Sequence, residues 1–393
     1  MITAGGRYCY ATRRMASILH IWGVALTAAA MGYALVALIA LAARHRPHAA
    51  SASSAAALQP PVTVLKPLCG AEPHLYECLR SFCEQHYPRY QIVCGVRDPH
   101  DAAVGVVEQL KRELPHVSLE LVIDAHPSSG NQKVSSLIAM LVRAQHRWLV
   151  IADSDVRVTS DYLARVVAPL NDAGVGIVTC PYRGLTERGM WSVLGCAFVN
   201  DWFMPSVFVA ALFGSRAFAF GATIALRRDS LEAIGGFERI AQQLADDYRL
   251  GELTRRNGLR TVLSELMVET YMHEPTLRAL LRHELRWLRT IRSVQPLGYA
   301  CAFVTFALPV AGIGFALSGG GRGAGLMLAV TGVARVMLHF AVRDARAGWA
   351  HLWLLIPNDL LAFSLWCWGF LSRRVHWRQM RYRIGRDGSV QPL

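Results

Sequence analysis

The stretch WLVIADSDVRV occupies residues 148–158. An apolar run, 148–152, leads directly to two carboxylates, Asp153 and Asp155, separated only by Ser154. A strand this apolar belongs in the middle of a sheet covered on both faces. Open α/β sheets take their ligands at the carboxyl ends of their strands. The aspartates therefore stand at a ligand edge. Two residues apart in extended or turn backbone, they can face one cation. Hard ions such as Mg²⁺ or Mn²⁺ combine one or two carboxylates with substrate phosphates. The competing reading is a helix N-cap ahead of SDYLARVVAPL, for which Asp161 is the better candidate.

Working outward, the flanking segments alternate. VTVLKPL, YQIVCGV and SLELVID read as strands, while HLYECLRSFCEQHY, DAAVGVVEQLKREL and KVSSLIAMLVRA read as helices. Strands alternating with helices of this length indicate βαβ units and a mostly parallel sheet. Asp98 falls at the end of the second strand, on the same edge as Asp153.

Of the 393 residues, 53% are hydrophobic, too many for an ordinary soluble protein of this size. The excess is concentrated. Residues 18–43 carry no charge and are long enough to cross a bilayer, and they exceed the apolar region of a cleaved signal. They read as a retained anchor. Three further apolar runs cover roughly 297–318, 324–342 and 349–371. The third holds Pro357, Asn358 and Asp359 near its middle, and polar groups in hydrocarbon are costly. An even number of crossings would keep the α/β block and the C-terminal arginines on one side, so this run is expected to be re-entrant or interfacial. Residues 202–213 are apolar but too short to span.

The expected organisation is an N-terminal segment (1–17), a transmembrane anchor (18–43), a linker (44–60), an α/β domain (61–296), a membrane region (297–371) and a basic tail (372–393). The net charge is +13, with six arginines in the tail: Arg373, Arg374, Arg378, Arg381, Arg383 and Arg386. Nucleic acid is one reading of that charge. Beside membrane segments, positive-inside retention and anionic lipid account for it better, so no nucleic-acid partner is expected. The nine cysteines are scattered without a CxxC, which suggests neither a disulfide framework nor a zinc site.

Two further constellations bear on chemistry. In QQLADDYRLGELTRRNG, Asp246 and Asp247 open a helix, either as acids favoured by the helix dipole or as a catalytic edge holding a general base. In RHELRWLRTIR, His283, Arg286 and Trp287 fall at i, i+3 and i+4. Taken alone, this reads as a basic helix on a membrane surface; its arginines are also suited to clamping phosphates.

In this order, Asp98, the Asp153–Ser154–Asp155 triplet, Asp246–Asp247–Tyr248 and Arg286–Trp287 resemble the D, D, D, (Q/R)xxRW pattern of membrane inverting glycosyltransferases with a GT-A fold. More narrowly, the chain resembles the ceramide glucosyltransferase family. GNQKVSSL, FGATIALRRDSLEAIGGF and HEPTLRALLRHELRWLRTIRSVQPLGYA look closest to its hopanoid-biosynthesis branch.

The resemblance covers roughly residues 60–300 and implies a GT-A, mostly parallel α/β fold with one N-terminal and two to three C-terminal membrane helices. It implies a divalent cation, a UDP-sugar donor and a membrane lipid acceptor. The branch implies N-acetylglucosamine passed to bacteriohopanetetrol; glucose passed to ceramide is the alternative. The implied location is the bacterial inner membrane, with the catalytic domain facing the cytoplasm.

Residue by residue, Asp98 is implied to lie near the nucleotide, and Asp153 with Asp155 to form a metal-diphosphate site. Lys133 would help hold the nucleotide, Asp247 would deprotonate the acceptor, and Arg286 and Trp287 would lie beside diphosphate and acceptor. His283 stands where the pattern has Gln or Arg, which puts that position's role in doubt. His273, in YMHEP, is a further candidate metal ligand. A non-catalytic scaffold has no need of Asp247, and a transporter would need polar pathways through several spans.

Overall fold

The computed structural model describes residues 4–44, 59–124, 130–186, 189–343, 345–377, 380–385 and 388–393. The expected linker lies almost wholly outside the described residues, as do Arg378 and Arg386. The chain forms two compact units. One comprises Met1–Arg46, Ala197–Leu212 and Gln295–Leu371; the other comprises Pro47–Cys196, Phe213–Val294 and Ser372–Leu393.

The second unit contains strands β1 (Val62–Pro67), β2 (Tyr90–Val96), β3 (Ser118–Ile123), β4 (Trp148–Ile151), β5 (Val156–Arg157), β6 (Val175–Thr179), β7 (Tyr182–Leu185), β8 (Ile224–Arg227), β9 (Arg260–Leu263) and β10 (Val268–Tyr271). Seven of them form one sheet in the order β3-β2-β1-β4-β8-β6-β9. The four N-terminal strands are parallel, as the alternating pattern requires. β8 then runs antiparallel to both β4 and β6, so the sheet is mixed. β1 is buried along its whole length, which is where a central strand must lie.

The helix Gln132–Arg143 turns Val134, Leu137 and Met140 inward, and they join Leu65, Val93, Leu149, Ile151 and Leu226 in one core. Each such side chain contributes about 1.5–3 kcal/mol on burial. β5, β10 and β7 form a separate three-stranded sheet. The basic tail is not an appendage. β11 (Arg374–Trp377), β12 (Met380–Ile384) and β13 (Val390–Pro392) form an antiparallel sheet. Val375, Tyr382, Ile384 and Val390 bury one face of it against Leu244.

In the first unit, the helix Ala4–Arg44 packs against Ala307–Leu317 and Arg322–Ala341. The contact is close: a Cβ at Gly314 would stand 2.6 Å from the Gly23 carbonyl oxygen. Small residues of this kind let apolar helices approach each other. Four helices among the described residues are long and apolar enough to cross a membrane: Arg13–Arg44, Met190–Leu212, Arg322–Ala341 and Gly348–Gly369. The pair Pro296–Thr305 and Ala307–Leu317, bent by 71°, makes a fifth if it is one span.

Two expectations are corrected here. The short apolar segment at 202–213 is part of a 23-residue helix that continues through a π-helical turn, Phe198–Phe203. The third C-terminal run, expected to be re-entrant or interfacial, has the length and composition of a span in Gly348–Gly369, and the sharp bend falls in the first run. Pro357 falls in the opening turn of the helix Leu355–Gly369, where proline is tolerated. Asp359 is buried against Arg335 in a two-point ion pair at 2.9 and 2.6 Å, so its charge is matched.

Candidate active site

The DSD turn is held from both sides. Lys66, fully buried near the end of β1, donates from Nζ to the Asp153 carbonyl oxygen and lies 4.1 Å from the Phe82 ring centre. The Val156 N–H closes the turn onto the same carbonyl at 3.3 Å. Asp155 is held by the small sheet, where the Thr270 hydroxyl donates to Oδ2 at 2.9 Å and the Tyr271 N–H to the backbone carbonyl at 3.0 Å. Ser154 donates to Glu72 at 2.8 Å. The turn thus anchors each aspartate separately, and neither caps the next helix. Asp161 stands at that N-cap, without a side-chain cap bond.

Lys133 reaches the turn from a helix start built to aim it. Asn131 is fully buried at the N-cap, where its carbonyl oxygen accepts from the Lys133 and Val134 N–H groups at 3.0 and 3.3 Å. Caps of this kind contribute about 1 kcal/mol. The Asn131 amide donates to the Gln243 carbonyl at 2.8 Å and to Asp246 at 3.3 Å, tying this helix to the next acidic element. Lys133 Nζ lies 2.6 Å from Asp153 Oδ1 and 3.8 Å from Asp246 Oδ2.

Asp247 follows at the start of the helix Asp246–Arg256. It accepts from the Gly221 N–H at 3.0 Å and from the Tyr248 N–H at 2.7 Å. Gly221 marks the centre of the cluster: a Cβ there would lie 2.9 Å from Lys133 Nζ, 3.2 Å from Asp153 Oδ2 and 3.5 Å from Asp247 Oδ2.

The electrostatics follow from this crowding. Burial and the Asp246 charge push Asp247 up to about 6. Burial, then Asp153 and Glu72, push Asp155 up to about 7. Burial opposes the charge of Lys133, but Asp153, Asp246 and Asp247 outweigh it, and its pKa is raised. Glu72, Asp153, Asp155, Asp246 and Asp247 outnumber Lys66, Lys133 and Arg286 in this space, an excess of acidic groups that favours cationic partners.

The donors present are hard oxygens. Among the described residues no group of three or more His, Cys, Asp or Glu side chains is placed to hold a metal ion. Two carboxylates without a full protein cage fit Mg²⁺ or Mn²⁺, which commonly complete their shells with phosphate oxygens and water.

The helix Leu277–Val294 carries the RW pair. Trp287 stands edge-on to Tyr182, with centroids 6.3 Å apart, and edge-on to His283 at 5.4 Å. Desolvation lowers the Arg286 pKa, opposed by Glu284, Asp153, Glu274 and Asp246. Its guanidinium therefore acts within the field of the DSD cluster. His283 is engaged by Glu274, at 2.5 Å from Nδ1 to Oε1.

Two expected residues stand apart. Asp98 is exposed in a turn after β2, accepting from the His100 N–H at 2.8 Å, and makes no bond to the cluster among the described residues. His273 is exposed, with no bond or ring contact among the described residues. Lys66, Asn131, Gly221 and Tyr182 escaped the sequence reading as site residues. GNQK and FGAT held the signal for Asn131 and Gly221, but nothing local distinguishes Lys66 from an outward-facing lysine.

Comparison with known proteins bears on the family and the fold. The model of glycosyl transferase family 21 matches residues 23–390. Ceramide glucosyltransferase 1 of Caenorhabditis elegans is 21% identical over 242 residues, 60% of this chain and 51% of its own length. The ceramide glucosyltransferase of Komagataella phaffii is 35% identical over 114 residues, 28% of this chain and 22% of its own. The chain thus spans about half the length, or less, of these curated relatives. Among solved structures, the mannosyltransferase PcManGT from Pyrobaculum calidifontis, in complex with GDP-Man and Mn²⁺, superposes with a TM-score of 0.54 at 23% identity. That match covers 88% of this chain and 98% of the mannosyltransferase, and it supports the GT-A fold.

Proposed function

The chain belongs to glycosyl transferase family 21, and from that premise we propose that it is an inverting hexosyltransferase that moves a sugar from a UDP-sugar to a membrane lipid alcohol. One observation carries the reading: Lys133, Asp153 and Asp247 converge around Gly221, a position where any side chain would intrude. In this reading Asp247 is the base. Its carboxylate is fixed by two N–H donors, and a pKa of about 6 suits proton transfer near neutral pH. The acceptor hydroxyl loses its proton to Asp247 as its oxygen attacks the anomeric carbon; the C–O bond to the diphosphate breaks, and UDP leaves with the electron pair.

Lys133 and Arg286 bring fixed positive charge to the leaving group. Asp153 and Asp155 would hold a divalent cation, which supplies charge neutralisation at the diphosphate when bound. The mannosyltransferase of similar fold is in complex with Mn²⁺ and GDP-Man, and we carry that pairing over as part of the proposal. Trp287 and Tyr182 offer an aromatic corner for the sugar or the acceptor. Asp98 is kept as a nucleotide contact formed on donor binding.

The proposed pair is UDP-N-acetylglucosamine with bacteriohopanetetrol, at the bacterial inner membrane with the catalytic unit in the cytoplasm. UDP-glucose with ceramide is the second reading, favoured by the relatives named above. The test offers both labelled donors and both lipids to membranes containing the chain, with Mg²⁺, Mn²⁺ or EDTA. Cation-dependent glycolipid identifies the productive pair. No transfer from either donor to either lipid, by folded protein, counts against both readings.

A further inference from the structure

The helix Leu277–Val294 has a second, arginine-rich face beside the one that carries Trp287, with Arg286 at the border between them. Arg278, Arg282, Leu285 and Arg289 follow spacings of four, three and four residues, which makes one continuous stripe. Arg286 borders it. β11 lies along this helix: Arg289 Nη1 donates to the Arg374 carbonyl at 2.6 Å, and Arg292 Nη2 to the Ser372 carbonyl at 2.9 Å. Between helix and strand is a cavity of about 590 Å³. Arg278, Arg282, Arg286 and Arg289 line it from the helix, and Arg374 and His376 from the strand. The rest of the lining is Leu285, Val375 and Leu393, the final residue of the sequence, whose main-chain carboxylate is outnumbered by the arginines; no acidic side chain contributes.

Arg278, Arg282 and Arg374 are exposed and make no ion pair among the described residues. Elsewhere in this unit, arginines such as Arg157, Arg183 and Arg249 are matched to nearby glutamates. Like charges four residues apart on a helix repel. A concave cluster of guanidiniums in which Arg278, Arg282 and Arg374 make no ion pair among the described residues is suited to an external anion. Guanidinium forks match phosphate oxygens two at a time. The cavity is large enough for a small ligand.

We propose that this groove between the helix Leu277–Val294 and β11 is a binding site for a phosphate-bearing anion, separate from the sugar-transfer cluster, with Arg278, Arg282 and Arg374 as its unshared ligands. The same chemistry describes an anionic phospholipid headgroup and a soluble diphosphate.

The test uses the full chain purified in neutral detergent with EDTA. Native mass spectrometry counts retained phosphatidylglycerol and phosphatidylcholine. Thermal shift measures the response to inorganic diphosphate, and UDP affinity is measured in parallel. The variant is Arg278→Gln/Arg282→Gln/Arg374→Gln. The proposal expects the wild type to retain phosphatidylglycerol over phosphatidylcholine, to respond to diphosphate, or both. The variant should lose that binding at least tenfold while UDP affinity stays within twofold. Retention of the lipid alone names a headgroup, and response to diphosphate alone names a soluble anion. Equal anion binding by wild type and variant overturns the proposal. So does a matching loss of UDP affinity, which would make the groove part of the donor site. Should the variant not fold, Arg282→Gln alone and the charge-keeping triple lysine variant take its place, with partial loss and retention expected respectively.

Discussion

At the scale of single residues, Asp247 and Asp155 set the pH behaviour. Both hold protons in the folded chain that the unfolded chain releases, because their pKa values stand at about 6 and about 7. Unfolded aspartate titrates near 3.9, by convention about two to three units lower. From about pH 4 to 7 the folded state therefore binds more protons, and these groups contribute less stability as pH rises. A bound cation reverses the penalty, since it requires the ionised form. We predict that Mg²⁺ raises the melting temperature more at pH 8 than at pH 5, and that EDTA removes the difference; scanning calorimetry at the two pH values checks this.

Gly221→Ala is predicted to move Lys133 rather than the backbone, because the nearest atom to the new methyl is the end of a flexible side chain. Stability should change little. Donor affinity should fall about tenfold to a hundredfold, the range for losing one charged hydrogen bond. Binding and melting measurements on one sample separate the two effects. Asp153, Lys133 and Asp247 were legible in the sequence because each sits in a short motif at an element's end. Lys66 was not: its role depends on β1 lying beside β4, a pairing that residue order alone does not give.

At the scale of elements, the helix Leu277–Val294 presents different chemistry on its faces. Glu284 is 2% exposed, and among the described residues its Oε2 has no hydrogen-bond partner. Burial and then Glu274 raise its pKa well above the ordinary range, with Arg286 opposing them. The folded chain keeps this carboxyl protonated where the unfolded chain ionises it, so its contribution to stability falls as pH rises above about 4.3. Glu284→Gln keeps the shape and removes that dependence. We predict a higher melting temperature at pH 8 and little change at pH 4.5, measured by thermal unfolding of the two proteins. A variant less stable than wild type at pH 8 would show that the ionised form is wanted.

The parallel strands and their helices were legible from apolar runs and periodicity, to within a few residues. β8 was not, since a four-residue antiparallel strand carries no pattern that separates it from a loop. The tail held a readable signal that its charge obscured. In β11 and β12, Val375, Tyr382 and Ile384 are buried while Arg374 and Arg383 are exposed, an alternation of the strand period.

At the scale of the whole molecule, the apolar unit has its own polar core. Arg335 pairs with Asp359 and donates to the Asp201 carbonyl at 3.0 Å, while Arg343 reaches Asp201 at 2.9 Å. Removing one partner of a buried pair costs about 3–5 kcal/mol, because the other charge is stranded. Arg335→Leu should therefore lower the thermal stability of the detergent-solubilised chain sharply, and Arg335→Leu/Asp359→Leu should recover part of the loss. Sequence reading saw the cost of Asp359 in an apolar run but not its partner, which lies 24 positions earlier on another helix.

If Asp247 is the base of the reaction, the rate of sugar transfer by Asp247→Asn, measured beside its affinity for the donor, reports on it directly. The account predicts transfer reduced by about 10²–10⁴-fold, the usual share of a general base, with UDP-sugar affinity and melting temperature close to wild type. Transfer at the wild-type rate by the folded variant would contradict it.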